Sequence, residues 1–369
     1  MKNKSLIGFA VKSAIFSFAI FAAISCKDAE PTPTTTPVVT NTLYFPPIGG
    51  TTWQTTTPAS LGWNETELNS LYPYLEQKKT KAFIILKNGK IVAEKYFGTF
   101  TTDSLWYWAS AGKTMTAMVV GIAQQEKLLN INDLSSKYLG IGWSSLPTDK
   151  ENLITIRHQL TMTTGLNDGV ADDNCTLKPC LEYKADAGTR WAYHNAPYTL
   201  LDKVIEKASS MNYNTYFQQK IRDKIGMNGL WFRSGSNNVY GSNARSMARF
   251  GLLLMNKGKW DTNTILNDEA YFNAQTTTSQ NINLSYGYLT WLNGKSSYML
   301  PTMQNVFSGF MIPNAPADMY AALGKNDQKI YVVPSQNLVI IRMGEAGGVL
   351  LAASGFDNEL WGKLKTIIK

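Results

Sequence analysis

Residues 106–124 read WYWASAGKTMTAMVVGIAQ and form the element around which we organise the rest of the chain. Apolar residues recur from Met115 to Ile122 with the three-and-four spacing of a helix that packs one face into a core. Ser110 and Lys113 stand at its start, three residues apart, so they share one helix face. The stretch therefore predicts a buried helix that begins with a serine hydroxyl and a lysine amine side by side.

Two interpretations of this pair are open. A lysine in apolar surroundings loses the solvation that favours its charged form, so its pKa falls and it can accept the serine proton. Alternatively, Ser110 caps the helix and Lys113 extends its ammonium group to water. Because Ser-x-x-Lys is a weak pattern alone, the pair does not choose between them.

Strand patterns lie towards both ends of the chain. Residues 82–97 predict two strands joined by Asn88 and Gly89, a strong hairpin pair, and residues 329–343 repeat the pattern around a turn at 334–337. Helical patterns follow residues 198–207, 244–257 and 359–368. We expect an α+β fold, with one antiparallel sheet built from both chain ends, flanked by helices, and a helical subdomain inserted between them.

The first residues have the layout of an exported lipoprotein. A basic start, an apolar stretch and A-I-S-C at 23–26 predict a signal peptide over 1–25 and lipid attachment at Cys26. An ordinary cleaved signal and a membrane-spanning anchor are the alternatives. Residues 26–55, rich in proline and threonine, predict a tether, so the folded domain is expected over 56–369. The protein is then exported and held at a membrane, in the periplasm or at the cell surface.

The composition of the chain limits which kinds of binding partner we expect. The chain of 369 residues has a net charge of +8. Three of its lysines fall in the predicted signal peptide, and the basic residues form no cluster. We therefore expect no nucleic-acid partner. Cys175 and Cys180 predict a disulfide in an exported protein. With two histidines in the chain and no paired cysteine motif, we expect neither metal nor cofactor.

A second motif lies at residues 187–201, where Tyr193, His194 and Asn195 precede a helical pattern. A tyrosine beside a lysine can act as general base towards a serine or as acid towards a leaving group. Asn195 offers a donor and an acceptor, either to a substrate amide or to Lys113.

Four blocks in order carry a resemblance to a known family: SAGK at 110–113, LITIRHQLTMTTGL at 153–166, GTRWAYHN at 188–195 and ARSMARFGLLL at 244–254. Together they resemble the class C β-lactamase and penicillin-binding-protein-like serine hydrolases, in their esterase and 6-aminohexanoate-dimer hydrolase branches. The resemblance implies an acyl-serine intermediate. It also implies that Ser110 is the nucleophile and that Lys113, Tyr193 and Asn195 complete the catalytic set. His194 fills a position that commonly holds a small residue, so we assign it to packing or to the rim.

The sequence departs from the family at the third motif. Ala322, Leu323 and Gly324 stand where Lys-Thr-Gly or His-x-Gly is expected, so Ala322 replaces the cation that binds a substrate carboxylate. Gly324 keeps the close approach of the strand, and the NH groups of Lys325 and Ser110 are expected to form the oxyanion hole. The Lys325 side chain is a candidate substitute for the missing cation. Trp191, with Trp106, Tyr107 and Trp108, is expected to line an apolar acyl pocket.

The favoured function is an exported serine hydrolase that cleaves an ester or amide bond of a small molecule or peptide through acyl-Ser110. A β-lactamase and a D-amino-acid peptidase of the same fold are alternatives. A further alternative is a catalytically silent member that binds cell-wall peptides. Lys113 and Tyr193 would titrate as a coupled pair, so the sequence leaves open which of them is the acylation base.

Overall fold

The computed structural model describes residues 43–348 and 355–368. The predicted signal peptide, the lipid attachment at Cys26 and the tether as far as residue 42 lie outside these residues. Within the described ranges, no helix combines the length and apolar character needed to cross a bilayer.

Helices and strands occur in runs along the chain. The strands of the described residues are β1 Thr80–Lys87, β2 Lys90–Tyr96, β3 Trp106–Tyr107, β4 Leu230–Ser234, β5 Asn237–Ser242, β6 Lys259–Trp260, β7 Asn263–Thr264, β8 Trp291–Leu292, β9 Ser297–Tyr298, β10 Phe307–Ser308, β11 Tyr320–Gly324, β12 Gln328–Val333 and β13 Leu338–Gly344. The α-helices are α1 Glu65–Gln77, α2 Gly112–Gln125, α3 Ser136–Leu139, α4 Thr148–Glu151, α5 Ile156–Leu160, α6 Asn195–Thr199, α7 Leu201–Ser209, α8 Tyr213–Phe217, α9 Ala244–Met255, α10 Glu269–Gln275 and α11 Gly355–Ile367.

The main sheet joins the two ends of the domain. Its strand order is β2-β1-β13-β12-β11-β8, and each neighbouring pair is antiparallel. β1 pairs with β13 through buried residues, among them Ile84 opposite Ile341 and Ile85 opposite Ile340. Most of the helices come from the chain between β2 and β11. The predicted α+β fold, with a sheet built from both chain ends and helices inserted between them, is confirmed.

Turn chemistry explains the first hairpin. Asn88 and Gly89 both have positive φ, 50° and 79°, which a two-residue turn between twisted antiparallel strands requires. Asparagine and glycine adopt that conformation with little strain. The two hairpin predictions are confirmed, since β12 and β13 also pair around residues 334–337.

One helical prediction needs a correction. The pattern at 198–207 predicted a single helix, whereas the structure has α6 and α7 meeting at Leu200. α6 also begins earlier, at Asn195. Pro197 is tolerated there because it lies in the first turn of the helix, where backbone NH groups have no intrahelical partner.

The domain begins before residue 56. The main-chain NH of Tyr44 donates to the carbonyl of Asn88 at 2.9 Å, and the indole NH of Trp53 donates to the carbonyl of Gly89 at 2.8 Å. Trp53 is buried. The assignment of residues 43–55 to the tether is therefore wrong. Tyr44 and Trp53 pack and hydrogen-bond on the first hairpin, which the proline- and threonine-rich composition did not indicate.

Candidate active site

The serine of the opening motif lies where a short strand turns into the buried helix. β3 ends at Tyr107, and a 3₁₀ turn over Ala109–Ala111 carries Ser110 directly before α2 begins at Gly112. The backbone of Ala109 is left-handed, with φ of 47°, a conformation that costs energy for a residue with a Cβ. This bend sets Ser110, half-buried, against a cleft.

Lys113 points inward rather than to water. The residue is 3% exposed, and its Nζ lies 2.8 Å from Ser110 Oγ and 2.8 Å from Asn195 Oδ1. No side chain caps α2, whose N-cap position is Ala111. The alternative in which Ser110 is a helix cap and Lys113 extends to solvent is thereby excluded.

The surroundings of Lys113 favour its neutral form. The amine lies 4.9 Å from the ring centre of Tyr193 and 4.3 Å from that of Tyr198, both buried. Burial lowers the pKa of Lys113 from its usual 10.5 to about 7, while the negative charge of Asp173 acts in the opposite direction. Around neutral pH a large fraction of Lys113 is therefore unprotonated and able to accept a proton from Ser110.

Tyr193 is held by an aromatic cluster. Its ring stacks on Trp291, with the centres 5.6 Å apart, and lies 6.2 Å from Tyr286 and 6.4 Å from Trp191. Burial raises the pKa of Tyr193, and its interaction with the Ser110 hydroxyl opposes part of that rise. At neutral pH the phenol keeps its proton, so this group is suited to donate a proton rather than to remove one.

Asn195 connects Lys113 to a carboxylate. It is the first residue of α6, and besides its oxygen's contact with Lys113 its Nδ2 donates to Asp173 Oδ2 at 3.3 Å. Burial raises the pKa of the Asp173 carboxyl, as does the charge of Asp172, whereas Lys113 lowers it. The amide therefore lies between an amine and a carboxyl group.

The end of β11 approaches Ser110 closely. A Cβ placed on Gly324 would lie 2.3 Å from the carbonyl oxygen of Trp108 and 3.0 Å from the nitrogen of Ala111, so only glycine fits. This contact places the main chain of Lys325 beside the turn that carries Ser110. The oxyanion hole formed by the NH groups of Ser110 and Lys325 remains a prediction that this geometry permits.

Two predicted substrate contacts are wrong. Ala322 is fully buried in β11 and is not among the residues that line the cleft. Trp191 is also fully buried and packs against Tyr286 and Trp291 in the core. Gly324 acts through its backbone rather than by lining the cleft. Of the aromatic residues at the start of the motif, Tyr107 is the one that reaches the cleft.

His194 lies in the core and faces no substrate space. It is 1% exposed, and neither ring nitrogen has a hydrogen-bond partner among the described residues. Burial lowers its pKa to about 4, which keeps the ring neutral at physiological pH. Of the two roles expected for His194, packing and a rim position, the burial fits packing.

The cleft beside Ser110 has a volume of about 550 Å³. Its walls combine amides, hydroxyls, a few apolar side chains, one carboxyl group and two lysines: Tyr107, Ala109, Ser110, Lys113, Asp173, Asn174, Asn195, Tyr198, Phe232, Ser234, Asn237, Asn238, Val239 and Lys325. The sequence motifs did not indicate Asp173, Asn174, Asn237 and Asn238, which come from the loop between α5 and α6 and from the start of β5. No local pattern marks them.

A disulfide closes the turn that directly follows Asp173 in the chain. The structure joins Cys175 to Cys180, with Cα atoms 5.8 Å apart, and the NH of Cys175 donates to the carbonyl of Asp172. Over the described ranges, no cluster of three or more histidine, cysteine, aspartate or glutamate side chains is placed to hold a metal ion. The chemistry of the cleft can therefore be considered from the side chains of Ser110 and its neighbours.

A serine beside a buried lysine and tyrosine, where an antiparallel sheet meets a helical region, defines a class of serine hydrolases related to penicillin-binding proteins. A sequence model of the β-lactamase family matches residues 75–347, and the chain belongs to that family. Membership of the β-lactamase family supports a hydrolase.

Three comparisons illustrate the relationship. A candidate β-lactamase of Bacteroides dorei has a similar structure, with a TM-score of 0.66 and 17% identity, covering 83% of this chain and 99% of that one. A candidate 6-aminohexanoate-dimer hydrolase of Bacillus anthracis has a TM-score of 0.63 and 17% identity, and the match covers 85% of this chain and 86% of that one. Penicillin-binding protein 4* of Bacillus subtilis is 29% identical over 143 residues, 34% of this chain and 30% of that protein. These structural likenesses confirm the fold.

Proposed function

We propose that the protein is a serine hydrolase that cleaves an ester or amide bond through an acyl-Ser110 intermediate. The observation that carries this proposal is the placement of the Lys113 amine, buried and 2.8 Å from the Ser110 oxygen. A buried lysine with no chemical task costs stability, because its charged form is poorly solvated. A silent binding protein would have no physical reason to retain it beside a serine.

The geometry suggests the order of proton transfers. Ser110 Oγ attacks the substrate carbonyl carbon while its proton passes to Lys113 Nζ, and the NH groups of Ser110 and Lys325 receive the negative charge on the carbonyl oxygen. The bond to the leaving alcohol or amine then breaks, and the proton returns to that group through the hydroxyl of Tyr193. Water next attacks the acyl-serine with Lys113 again as base, releasing the acid and restoring Ser110.

Lys113 is the better candidate for the acylation base. Burial acts on the two candidates in opposite directions, because it lowers the pKa of an amine towards neutrality and raises that of a phenol away from it. A general base works best when its pKa lies near the working pH. We therefore assign the base to Lys113 and the role of proton donor to Tyr193.

The cleft favours substrates without a carboxylate next to the reacting bond. Ala322 supplies no cation, and the side chain of Lys325 is exposed, so water weakens its attraction for an anion. The asparagine-rich wall instead offers neutral hydrogen-bond donors and acceptors. Neutral esters and amides are thus proposed ahead of β-lactam antibiotics and carboxylate-bearing peptides.

Turnover of matched substrates tests this preference. We expect kcat/KM for p-nitrophenyl butyrate to exceed that for nitrocefin, since a charged hydrogen bond to the missing cation is worth about 10- to 100-fold. Methyl esterification of the nitrocefin carboxylate should change its kcat/KM by less than about threefold. A β-lactamase would be favoured if nitrocefin were hydrolysed as fast as p-nitrophenyl butyrate and if methylation of its carboxylate abolished that hydrolysis. Those two results together would show a site that binds the substrate carboxylate. Ser110→Ala supplies the background rate.

We further propose that the enzyme is exported and anchored through a lipid on Cys26. The N-terminal sequence pattern supports this, as does the disulfide, since such bonds persist in oxidising compartments. The mass of the N-terminal peptide of membrane-extracted protein is the test. A diacylglyceryl-modified Cys26 is expected, and an unmodified N-terminus elsewhere would contradict the anchor.

A further inference from the structure

A chain of hydrogen bonds runs from Lys113 across the floor of the cleft. Asn195 accepts from Lys113 and donates to Asp173 Oδ2 at 3.3 Å, and Asn174 Nδ2 donates to Asp173 Oδ1 at 2.8 Å. Asn237, the first residue of β5, donates to Asn174 Oδ1 at 2.9 Å. Both oxygens of Asp173 accept, and Asp173 is the carboxylate bonded to Asn195, whereas Asn174 Nδ2 also donates to Asp172 Oδ1 at 3.0 Å.

The chemistry of these groups gives the chain a direction. An ionised carboxylate only accepts hydrogen bonds, whereas an asparagine amide has an accepting end and a donating end. Asp173 therefore fixes the Asn195 amide with its NH₂ towards the carboxylate and its oxygen towards Lys113. If the amide were reversed, its oxygen would face the carboxylate, so two acceptors would meet, and its NH₂ would occupy the lone pair with which Lys113 accepts the serine proton.

We propose that Asp173 is a positioning residue for the catalytic lysine: it holds Asn195 in the orientation that places an acceptor oxygen against Lys113. That oxygen receives an N–H of the neutral amine, which turns the nitrogen lone pair towards Ser110. The kinetic part of this inference rests on the proposed function, whereas the orientation of the amide does not.

The loop around Asp173 is built to keep the carboxylate in place. Its main-chain carbonyl accepts from the NH of Ala196 in α6 at 3.0 Å, so the loop is attached next to Asn195 itself. The disulfide at Cys175 closes the following turn. These contacts set the Asp173 side chain relative to α6 before any substrate binds.

The charged groups around Asp173 and Lys113 determine how loss of the Asp173 charge changes the pKa of Lys113. Asp168 and Asp172, from the same loop, act on Asp173. Tyr193 and Tyr198 face Lys113 with neutral phenols, and the Lys325 side chain at the end of β11 lines the same cleft. Because Asp173 stabilises the ammonium form of Lys113, removing its charge lowers the pKa of Lys113 and moves the acid limb of the kcat/KM profile to lower pH.

Three variants separate charge from position. Asp173→Ala removes both, so we expect kcat to fall about 10- to 100-fold and the acid limb to move to lower pH. Asp173→Asn keeps an acceptor oxygen, so kcat should stay within about threefold of wild type while the limb still moves. Asp172→Asn removes the charge of the exposed neighbour but keeps an acceptor oxygen for Asn174, and Asp172 makes no contact with Asn195 among the hydrogen bonds of the described residues, so this variant should leave kcat unchanged and move the limb less.

A second readout does not depend on turnover. The side-chain NH₂ resonances of Asn195, assigned in ¹⁵N-edited NMR spectra with an Asn195→Ala variant, should be protected from exchange in wild type and Asp173→Asn and unprotected in Asp173→Ala. The inference would be overturned if the Asn195 NH₂ group stayed protected from exchange in Asp173→Ala. It would also be overturned if Asp173→Ala had the same kcat and the same pH profile as Asp172→Asn. A wild-type protein with protected Asn195 but no turnover would instead contradict the proposed function and leave the positioning role standing.

Discussion

Replacing Lys113 by methionine is expected to inactivate the protein and to stabilise it. Loss of a general base lowers kcat/KM by about 10² to 10⁴-fold. Methionine has a similar length but carries no charge, so the cost of burying an amine disappears. At pH 7 we expect the free energy of unfolding to rise by about 1–3 kcal/mol, which is less than the full cost because two hydrogen bonds are also lost.

The stabilisation has a defined pH dependence. The pKa of Lys113 is near 10.5 in the unfolded chain and about 7 in the fold, so the unfolded state binds more protons between these values. The stability of the wild type therefore increases with pH over this window, whereas that of Lys113→Met lacks this contribution. Urea unfolding at pH 7 and pH 9.5 should show the difference between the two proteins shrinking as pH rises.

Lys203→Met is the matched control for that measurement. Lys203 is an exposed lysine on α7, so the same substitution should change both kcat/KM and unfolding free energy little. A destabilised Lys113→Met protein, or one as active as Lys203→Met, would contradict the account of Lys113 as a buried, neutral base.

Ser110→Ala is expected to have the larger effect on catalysis and little effect on stability. Without Oγ no acyl-enzyme can form, and kcat/KM for p-nitrophenyl butyrate should fall by roughly 10⁴-fold or more. The side chain is small and half-buried, so the unfolding free energy should change by about 1 kcal/mol or less. The two quantities are measured on the same preparation by steady-state kinetics and urea unfolding.

The outcome that would contradict this prediction is residual turnover within about tenfold of wild type by folded Ser110→Ala protein. Ser234 supplies a matched control, because its hydroxyl also lines the cleft but has no lysine amine beside it among the hydrogen bonds of the described residues. Ser234→Ala should keep most of the activity.

Local patterns predicted the parts of the fold that depend on local chemistry. Asn88 and Gly89 predicted the first hairpin because their backbone conformation is a property of those residue types. The spacing of Ser110 and Lys113 placed them on one face because a helix brings residues three apart together. The apolar runs at the two chain ends indicated the strands that pair in the sheet.

The rest of the site depends on contacts across long stretches of chain. The amide of Asn195 reaches Lys113 over 82 residues, and Asp173 reaches that amide from a loop, just before the disulfide, whose composition indicates no role. The order of the three aromatic residues at 106–108 did not indicate that Tyr107 would face the cleft and Trp108 the core. Such choices are set by packing against β5 and β11, which no local pattern encodes.

The central claim is that a neutral Lys113 activates Ser110, and the rate of acylation by a fluorophosphonate, followed by intact mass, tests it most directly. The account predicts one adduct per protein, absent from Ser110→Ala, whose rate of formation rises with pH through about 7, the pKa of Lys113, and levels off about one unit higher, where most of Lys113 is unprotonated. Slow labelling without that plateau is expected for Lys113→Met. No adduct on the wild type, or an adduct that persists in Ser110→Ala, would contradict the claim.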